Sequence, residues 1–206
     1  VVIGLLVYEA TGTTAWVGII LAIYFLPFFV FGLLSGTVAD WIDRRTLLRR
    51  LELATAAVLF VFAASTAQEA TSIWIIAGFT LFAGSLRALH QPVRSSYAYD
   101  LVGQENLVSA MGLLNIGSRS GQLLGALVAG FVMERFGGSA ALACLGGGHL
   151  IAFLFFRSLR AAGVTAVTVR APIRQNIREY AVELGTNRLL LTLLAVTASV
   201  EIFGFS

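Results

Sequence analysis

The chain contains little charge, no lysine, one cysteine and three prolines among its 206 residues. Charged residues make up 12% of it, whereas a soluble domain carries about 25%. Because so few charges cannot cover a surface that faces water, a soluble globular domain is excluded. The single cysteine, Cys144, excludes a disulfide within the chain and any metal site built from several cysteines.

The sequence also lacks the short motifs that carry enzymatic chemistry. It contains no His-Glu-x-x-His, no Gly-x-Ser-x-Gly and no phosphate-binding Gly-x-x-x-x-Gly-Lys. We therefore expect no catalytic residue, no cofactor and no metal ion, and we do not expect an enzyme. The net charge of +3 comes from arginines beside apolar runs, so nucleic acid is not an expected partner.

Hydrophobic residues are abundant and continuous. They make up 58% of the chain, and its mean hydropathy is +0.87. Residues 10–39 carry no charge, and a run of this length can cross a bilayer as a helix. Because the runs do not alternate between apolar and polar residues, helices are favoured over strands. The predicted fold class is an all-α membrane protein.

Polar breaks divide the sequence into seven predicted membrane helices, of which the first and the last are incomplete. A turn at 134–138 separates the fifth helix from the sixth, and a polar, partly helical connection at 90–105 follows the fourth. The chain begins without Met and stops inside an apolar run, so we expect a fragment of a longer protein. The predicted helices cover residues 1–7, 15–38, 46–67, 71–89, 107–133, 139–156 and 189–206.

Three regions follow from these helices. Residues 1–157 are predicted to form an N-terminal transmembrane bundle, 158–188 a cytoplasmic linker, and 189–206 the start of the seventh helix. Apolar residues recur at helical spacing between Pro172 and Gly185, which predicts an amphipathic helix on the membrane surface. An ordinary linker helix explains the same spacing.

Arginines are concentrated at one end of the predicted helices. Eleven of the 14 lie on one side, Arg135 alone lies on the other, and Arg87 and Arg119 fall within apolar segments. Cytoplasmic loops carry an excess of arginine and lysine, so the loop between helices 2 and 3 and the 158–188 linker are predicted to be cytoplasmic. The eleven are Arg44, Arg45, Arg49, Arg50, Arg94, Arg157, Arg160, Arg170, Arg174, Arg178 and Arg188.

The junction between the second and third helices holds a cluster of charges. Gly36 precedes Asp40 by four residues, and Arg44 and Arg45 follow one turn later. If the helix continues, Asp40 and Arg44 are partners at i, i+4. The cluster is either a plain positive anchor or a latch for one conformation, because charge-assisted hydrogen bonds are strong yet break when water enters. Asp100 joins this cluster, is a solvated acid of the loop, or supplies negative charge at the start of the fifth helix.

Three further residues carry charge or protons within the apolar segments. An arginine there costs at least about 2.5–3.5 kcal/mol, so Arg87 and Arg119 should each face a cavity or a partner. Alternatively, Arg87 extends to the membrane surface, and Arg119 has a purely structural partner. His149 belongs to the residue type that binds protons near neutral pH, and a packed, hydrogen-bonded histidine is the other interpretation.

The charge cluster at the junction resembles the loop signature of the major facilitator superfamily. The signature reads Gly36-x-x-x-Asp40-x-x-x-Arg44-Arg45. Trp41 and Asp43 stand where the usual form has a basic residue and a glycine. With an Asp before the arginine pair, the loop is similar to the loops of one branch of drug–proton antiporters. That branch includes enterobactin-exporter-like and macrolide-efflux-like proteins. Other stretches similar to that branch are Leu26-Pro27, Pro92-Val-Arg94, Asp100-Leu-Val, Glu105-Asn-Leu and Asn115.

This resemblance implies a fold and a mechanism. The chain would be the N-terminal six-helix half of a twelve-helix transporter plus the start of helix 7, and two halves would rock about a central site. It implies proton-driven efflux of a drug-like or siderophore-like small molecule by a monomer in the cytoplasmic (inner) membrane of a bacterium. The implied partners are the lipid bilayer, the cargo and protons. The implied latch of the outward-open state consists of Gly36, Asp40, Arg44, Arg45 and Asp100.

The resemblance extends to the fourth and fifth helices. Arg87 lies where the superfamily often has an arginine linked to proton coupling, although the surrounding residues match that motif poorly. A glycine-rich motif of superfamily antiporters is partly matched by Gly112, Gly121, Gly125 and Gly130. Small residues that permit tight helix contact explain the same glycines.

Two other functions stay open. One is import of a nutrient or metabolite on the same fold, which proton-driven accumulation in oriented vesicles would separate from export. The other, of a different class, is a membrane-embedded enzyme or a non-transporting partner subunit. That function would need a catalytic constellation outside these residues.

Overall fold

The computed structural model describes most of the first 158 residues. The described residues are 2–41, 43–67 and 72–158, together with Thr192 and Val196. The side chains of residues 29, 30 and 32–41 lie outside the description.

The chain forms two compact units, Val1–Ala166 and Val167–Ser206. In the second unit the described residues are Thr192 and Val196, and both are helical. The predicted amphipathic linker helix lies outside the described residues, as does most of the predicted seventh helix. The predicted division at 157 and 188 therefore stays a prediction.

The first unit is built from helices. The described residues contain five helical elements and no strand, as an all-α chain predicts. The last element is divided at Gly137, whose φ of 83° and ψ of 174° are not helical and which glycine adopts at little cost. This break falls within the predicted turn at 134–138, and we term residues 107–136 and 138–158 the first and second segments of α5. The elements are α1 (Val2–Thr11), α2 (Thr14–Trp41), α3 (Arg44–Thr66), α4 (Ile73–Val102) and α5 (Leu107–Ser158).

α4 is longer than the sequence predicts. We expected the fourth helix to end at Leu89, but it continues through Pro92 to Val102 and ends at Gly103, whose φ is 72°. Proline removes only one helical hydrogen bond, and the polar residues beyond Leu89 face α3 and a cavity described below. The loop between α4 and α5 is therefore much shorter than the predicted connection.

α3 lies between α4 and the second segment of α5, antiparallel to both. At one end of α3, Phe62 stacks on Phe79 of α4 with ring centroids 4.7 Å apart. Ser139 of α5 donates a hydrogen bond of 2.7 Å to the Ala63 carbonyl. These contacts belong to a buried core that joins all five helical elements, and a smaller core packs α3 against α4 near residues 47–51 and 93–97.

Much of the outer surface of the bundle is apolar. Within the described part of the chain, two helices are long and apolar enough to cross a membrane, α4 and α5. The helical stretches Val2–Thr11 and Thr14–Phe28 are apolar but shorter. On the first segment of α5, Val108 is 85% exposed and Leu113 71% exposed. A contiguous apolar surface of this kind normally faces lipid or another protein surface.

Candidate functional site

A buried carboxylate occupies the middle of the bundle. Glu52 of α3 is 4% exposed. The Nε2 atom of His90 lies 2.6 Å from its Oε1 atom, and the Nδ1 atom of His149 lies 2.6 Å from its Oε2 atom. Each carboxylate oxygen therefore has its own imidazole, one from α4 and one from α5. We term these three residues the His–Glu–His cluster.

Local sequence explains how three helices bring these residues together. His149 follows Gly146-Gly147-Gly148 in the second segment of α5. A Cβ atom added at Gly146 would lie 3.2 Å from the ring of Phe60 on α3. Because Gly146 has no side chain, this segment approaches α3 closely enough for His149 to reach Glu52. His90 reaches the other oxygen because α4 continues as a helix beyond Leu89.

The cluster is chemically suited to hold and release a proton. With Glu52 ionised and both imidazoles neutral, each imidazole donates one N–H to the carboxylate and keeps a second nitrogen that can accept a proton. Imidazole exchanges protons more readily near neutral pH than any other ordinary side chain. The His90 and His149 side chains are 22% and 38% exposed, whereas that of Glu52 is 5% exposed. The histidines are therefore the more accessible members of the cluster.

A cavity of about 490 Å³ with both apolar and polar walls lies beside the cluster. Its walls come from all five helical elements, and both histidines line it. The apolar part of the wall includes Ile3, Leu59 and Leu145, and Ser118 and Gln122 of α5 add hydrogen-bonding groups. The titratable and charged residues of the described lining are Tyr24, Arg87, His90, Arg94 and His149.

Both arginines of the cavity have unused hydrogen-bonding capacity. Arg87 is exposed and makes no hydrogen bond or ion pair with the described residues, although it interacts electrostatically with Tyr24. Arg94 donates from Nη2 to Gln91 at 3.3 Å, and its buried Nε finds no hydrogen-bond partner among the described residues. Arg119 is exposed, donates a long bond of 3.5 Å to Gln122 and does not line the cavity.

The junction residues tie α3 to two neighbouring helices. Arg44 pairs with Asp100 of α4 at 2.5 Å, and their side chains are 8% and 5% exposed. Arg45 donates to the Phe156 and Arg157 carbonyls at 3.4 and 3.2 Å, where α5 ends. The predicted association of Asp100 with the arginine pair is therefore present as a direct contact to Arg44.

Asp43 explains one departure from the superfamily loop signature. It is the N-cap of α3, and its Oδ1 accepts a hydrogen bond of 2.7 Å from the Thr46 amide. Aspartate is among the preferred N-cap residues. α2 ends at Trp41 and Asp43 is not helical, so the helix does not continue from Asp40 to Arg44, and a contact between these two side chains stays a prediction. The side chain of Asp40 lies outside the described residues.

The glycines of the fifth helix have open surroundings. No described atom outside their own helix lies within 4 Å of a Cβ added at Gly112, Gly121, Gly125 or Gly130. Their role in packing against another helix stays a prediction. The tight approach lies instead at Gly84 of α4, where an added Cβ would overlap the Tyr24 carbonyl of α2. Gly36 belongs to α2, but its surroundings are outside the description.

Sequence reasoning identified one member of the His–Glu–His cluster and missed two. His149 was a predicted candidate, whereas Glu52 and His90 were not. The available signal was Glu52 itself, a single carboxylate inside the predicted third span, because an acidic residue in a membrane helix usually has a function.

Apolar helices around a cavity lined by arginines, with a buried carboxylate beside it, are the features of a membrane transport protein. The family model of the Major Facilitator Superfamily matches residues 1–206, and the chain belongs to this superfamily. Comparisons with curated proteins and with solved structures return no match. The superfamily consists of membrane transporters of small molecules, so the chain is assigned to that class, and its place in the drug–proton antiporter branch stays a prediction.

Proposed function

We propose that this protein is a proton-driven secondary transporter that exports a drug-like or siderophore-like small molecule by alternating access. The His–Glu–His cluster is the proton-binding group. The observation that carries the proposal is the pairing of both Glu52 oxygens with imidazoles that open onto the cavity. The protein acts as a monomer in the bacterial inner membrane, with the Arg44 end of the bundle in the cytoplasm.

A carboxylate inside a membrane helix is expensive to retain, and it is retained where protons or ions move. Here it sits beside a cavity large enough for a small molecule. Gain of a proton changes the charge of the cluster from −1 to 0, so the cavity presents two different fields. If the cargo, or one conformation of the bundle, is more stable with one of these two electric fields, transport is coupled to the proton gradient.

The junction supports a latch at the cytoplasmic end. The buried Arg44–Asp100 pair and the bonds of Arg45 to the end of α5 hold three helices together. Gly36 and Asp40 belong to the proposed latch through the loop signature alone. In one conformation the latch closes the cytoplasmic side, and water that enters in the other conformation weakens its charged contacts.

The first prediction tests the proton-binding group. In membrane vesicles that contain the full-length protein, Glu52→Gln should abolish cargo accumulation driven by a proton gradient. Exchange of labelled for unlabelled cargo without a gradient should continue. Glutamine keeps the shape of glutamate but cannot hold the negative charge that attracts the proton. The cargo is identified beforehand. A bacterium that lacks its own efflux pumps is grown with the protein on toxic organic anions and cations, and a compound that the protein allows it to survive serves as the cargo.

Glu105→Gln is the matched control for this prediction, because Glu105 is exposed in the loop between α4 and α5 and should leave both activities unchanged. Proton-driven accumulation that survives in Glu52→Gln would remove Glu52 from the proton site. Loss of exchange together with accumulation would assign Glu52 to cargo binding or folding instead.

Import by proton symport on the same fold is the second candidate function, and one observation favours it. The described lining of the cavity contains two arginines and no acidic residue. An anion bound there would favour protonation of the neighbouring histidines, so cargo and proton would bind together rather than exclude one another. The direction of proton movement on cargo binding separates the two functions.

A further inference from the structure

We propose that the cavity binds an organic anion, with Arg87 and Arg94 as the cationic groups that recognise it. The inference rests on the proposed function in one respect, because it assumes that the transported molecule occupies this cavity. It holds for export and for import alike. It names the chemical class of the cargo, which the superfamily alone leaves open.

The charge of the described lining has one sign. Arg87 and Arg94 contribute two guanidinium groups, and His90 and His149 become cationic when protonated. The nearby carboxylate of Glu52 is shielded, because both of its oxygens are taken by imidazoles and its side chain is 5% exposed. A cationic cargo would therefore meet repulsion in this cavity, and an anionic cargo would meet attraction.

The two arginines lie on one face of α4, together with other polar residues of the cavity. Arg87, His90, Gln91 and Arg94 all line the cavity, and their spacing of i, i+3, i+4 and i+7 places them on one face of the helix. Seven residues of helix span about 10 Å along its axis. Both guanidinium groups can therefore contact one elongated molecule.

Unused hydrogen-bonding capacity points to a ligand. Arg87 has no ion pair or hydrogen bond with the described residues, and Arg94 has a buried Nε without a partner among them. An arginine within a membrane helix is costly unless it is paired or hydrated. Arg87 and Arg94 present rigid arrays of N–H donors that match the geometry of carboxylate and phosphate groups.

The rest of the cavity defines the body of the cargo. Ile3, Leu59 and Leu145 provide apolar contact, and Ser118 and Gln122 provide neutral hydrogen bonds. The volume of about 490 Å³ lies within the range of small-molecule pockets. The cargo is therefore an amphipathic organic acid, with an apolar body and an acidic group that faces α4.

The test compares an anion with its neutral analogue on the purified full-length protein in detergent. The probes are dansylglycine, whose carboxylate is ionised at pH 7, and dansylglycinamide, which has the same body without the charge. Binding is followed by dansyl fluorescence, and protein-free micelles supply the background. We expect dansylglycine to bind at least about tenfold more tightly than dansylglycinamide, because a hydrogen bond to a charged group changes affinity by about that factor.

Variants of Arg87 complete the test. Arg87→Gln should weaken dansylglycine binding by about tenfold and leave dansylglycinamide unchanged, whereas Arg87→Lys should retain part of the preference. Arg50→Gln is the matched control, because Arg50 is exposed on α3 and does not line the cavity. Equal binding of both probes, binding of neither, or no effect of Arg87→Gln would overturn the proposal.

Two outcomes separate this proposal from the proposed function. If dansylglycine binding depends on Arg87 but the Glu52→Gln variant still accumulates cargo in response to a proton gradient, the anion site is supported and Glu52 is not the proton-binding group. If Arg87→Gln lowers thermal stability without changing the preference for the anion, Arg87 pairs with a carboxylate of the protein. That result would overturn the anion site and leave proton-coupled transport intact.

Discussion

At the scale of single residues, Glu52 can be buried because each of its carboxylate oxygens accepts its own hydrogen bond. Burial of an unpaired charge would cost several kcal/mol, and two imidazoles offset that cost here. The partners are 38 and 97 residues distant in sequence. Sequence reasoning found His149 as a titratable group but could not assign its partner. In the sequence around Glu52, the visible feature is a group of arginines, which suggested an anchor at the membrane surface.

Asp100→Asn should destabilise the protein by about 3–5 kcal/mol, because it removes the ionised carboxylate that pairs with the buried Arg44 guanidinium. The measurement is the thermal unfolding of the full-length protein in detergent. Glu105→Gln is the control, because an exposed substitution away from such contacts changes stability by no more than about 0.5 kcal/mol.

A double variant checks the reason for this loss. Arg44→Gln combined with Asp100→Asn should recover part of the stability, since the buried cation is then removed together with its carboxylate partner. Equal melting temperatures for Asp100→Asn and the unmodified protein would show that the pair contributes little. The latch would then need another source of stability.

At the scale of helices, the existence of the elements could be predicted from the sequence better than their ends. Apolar runs predicted each described helix, and the turn at 134–138 contains the break at Gly137. The end of α4 could not be predicted, because His90, Pro92 and Arg94 taken alone indicate a polar connection that is only partly helical. In the bundle these polar groups find partners on α3 or open into the cavity, so the helix continues to Val102.

The contact between α2 and α4 depends on one glycine. Gly84→Ala should destabilise the protein by about 1–3 kcal/mol, because the new Cβ would overlap the Tyr24 carbonyl and lie 3.0 Å from the Tyr24 carbonyl carbon. Backbone atoms cannot move aside as a flexible side chain can. Thermal unfolding of the full-length protein in detergent measures the effect.

Gly78→Ala is the control for the glycine contact, because Gly78 is on the same helix and an added Cβ there meets no described atom within 4 Å. It should be neutral or slightly stabilising, since alanine favours helix over glycine. Similar melting temperatures for the two variants would mean that α2 and α4 can move apart at this point without loss of stability.

At the scale of the bundle, the cavity and its charged groups lie inside, whereas apolar side chains both fill the core and cover part of the outer surface. Cavity, histidines and arginines face inward, whereas the first segment of α5 exposes Val108 and Leu113. Membership of the major facilitator superfamily agrees with this arrangement. In the proposed mechanism, the direction of transport depends on how cargo and proton affect each other, and that is a property of the assembled cavity.

If the second candidate function, proton symport, operates, binding of an anionic cargo should make the purified full-length protein take up protons from a weakly buffered solution. The negative charge beside Arg87 and Arg94 stabilises protonated histidines, and linkage requires that each ligand favour the other. A pH-sensitive dye reports the sign when dansylglycine is added, and dansylglycinamide is the control. Proton uptake favours symport, whereas proton release with the same probe would favour exchange and the proposed export.

The sequence by itself determined the class of protein, because apolar runs, scarce charge and the arginine bias are properties of local composition. It also determined the superfamily, because the loop signature is a contiguous pattern. Only the tertiary structure decided that Glu52 meets His90 and His149, that Arg44 meets Asp100, and that two arginines share a cavity without an acidic residue in its described lining. Those contacts join helices distant in sequence, and their strength depends on burial and distance, which no local pattern encodes.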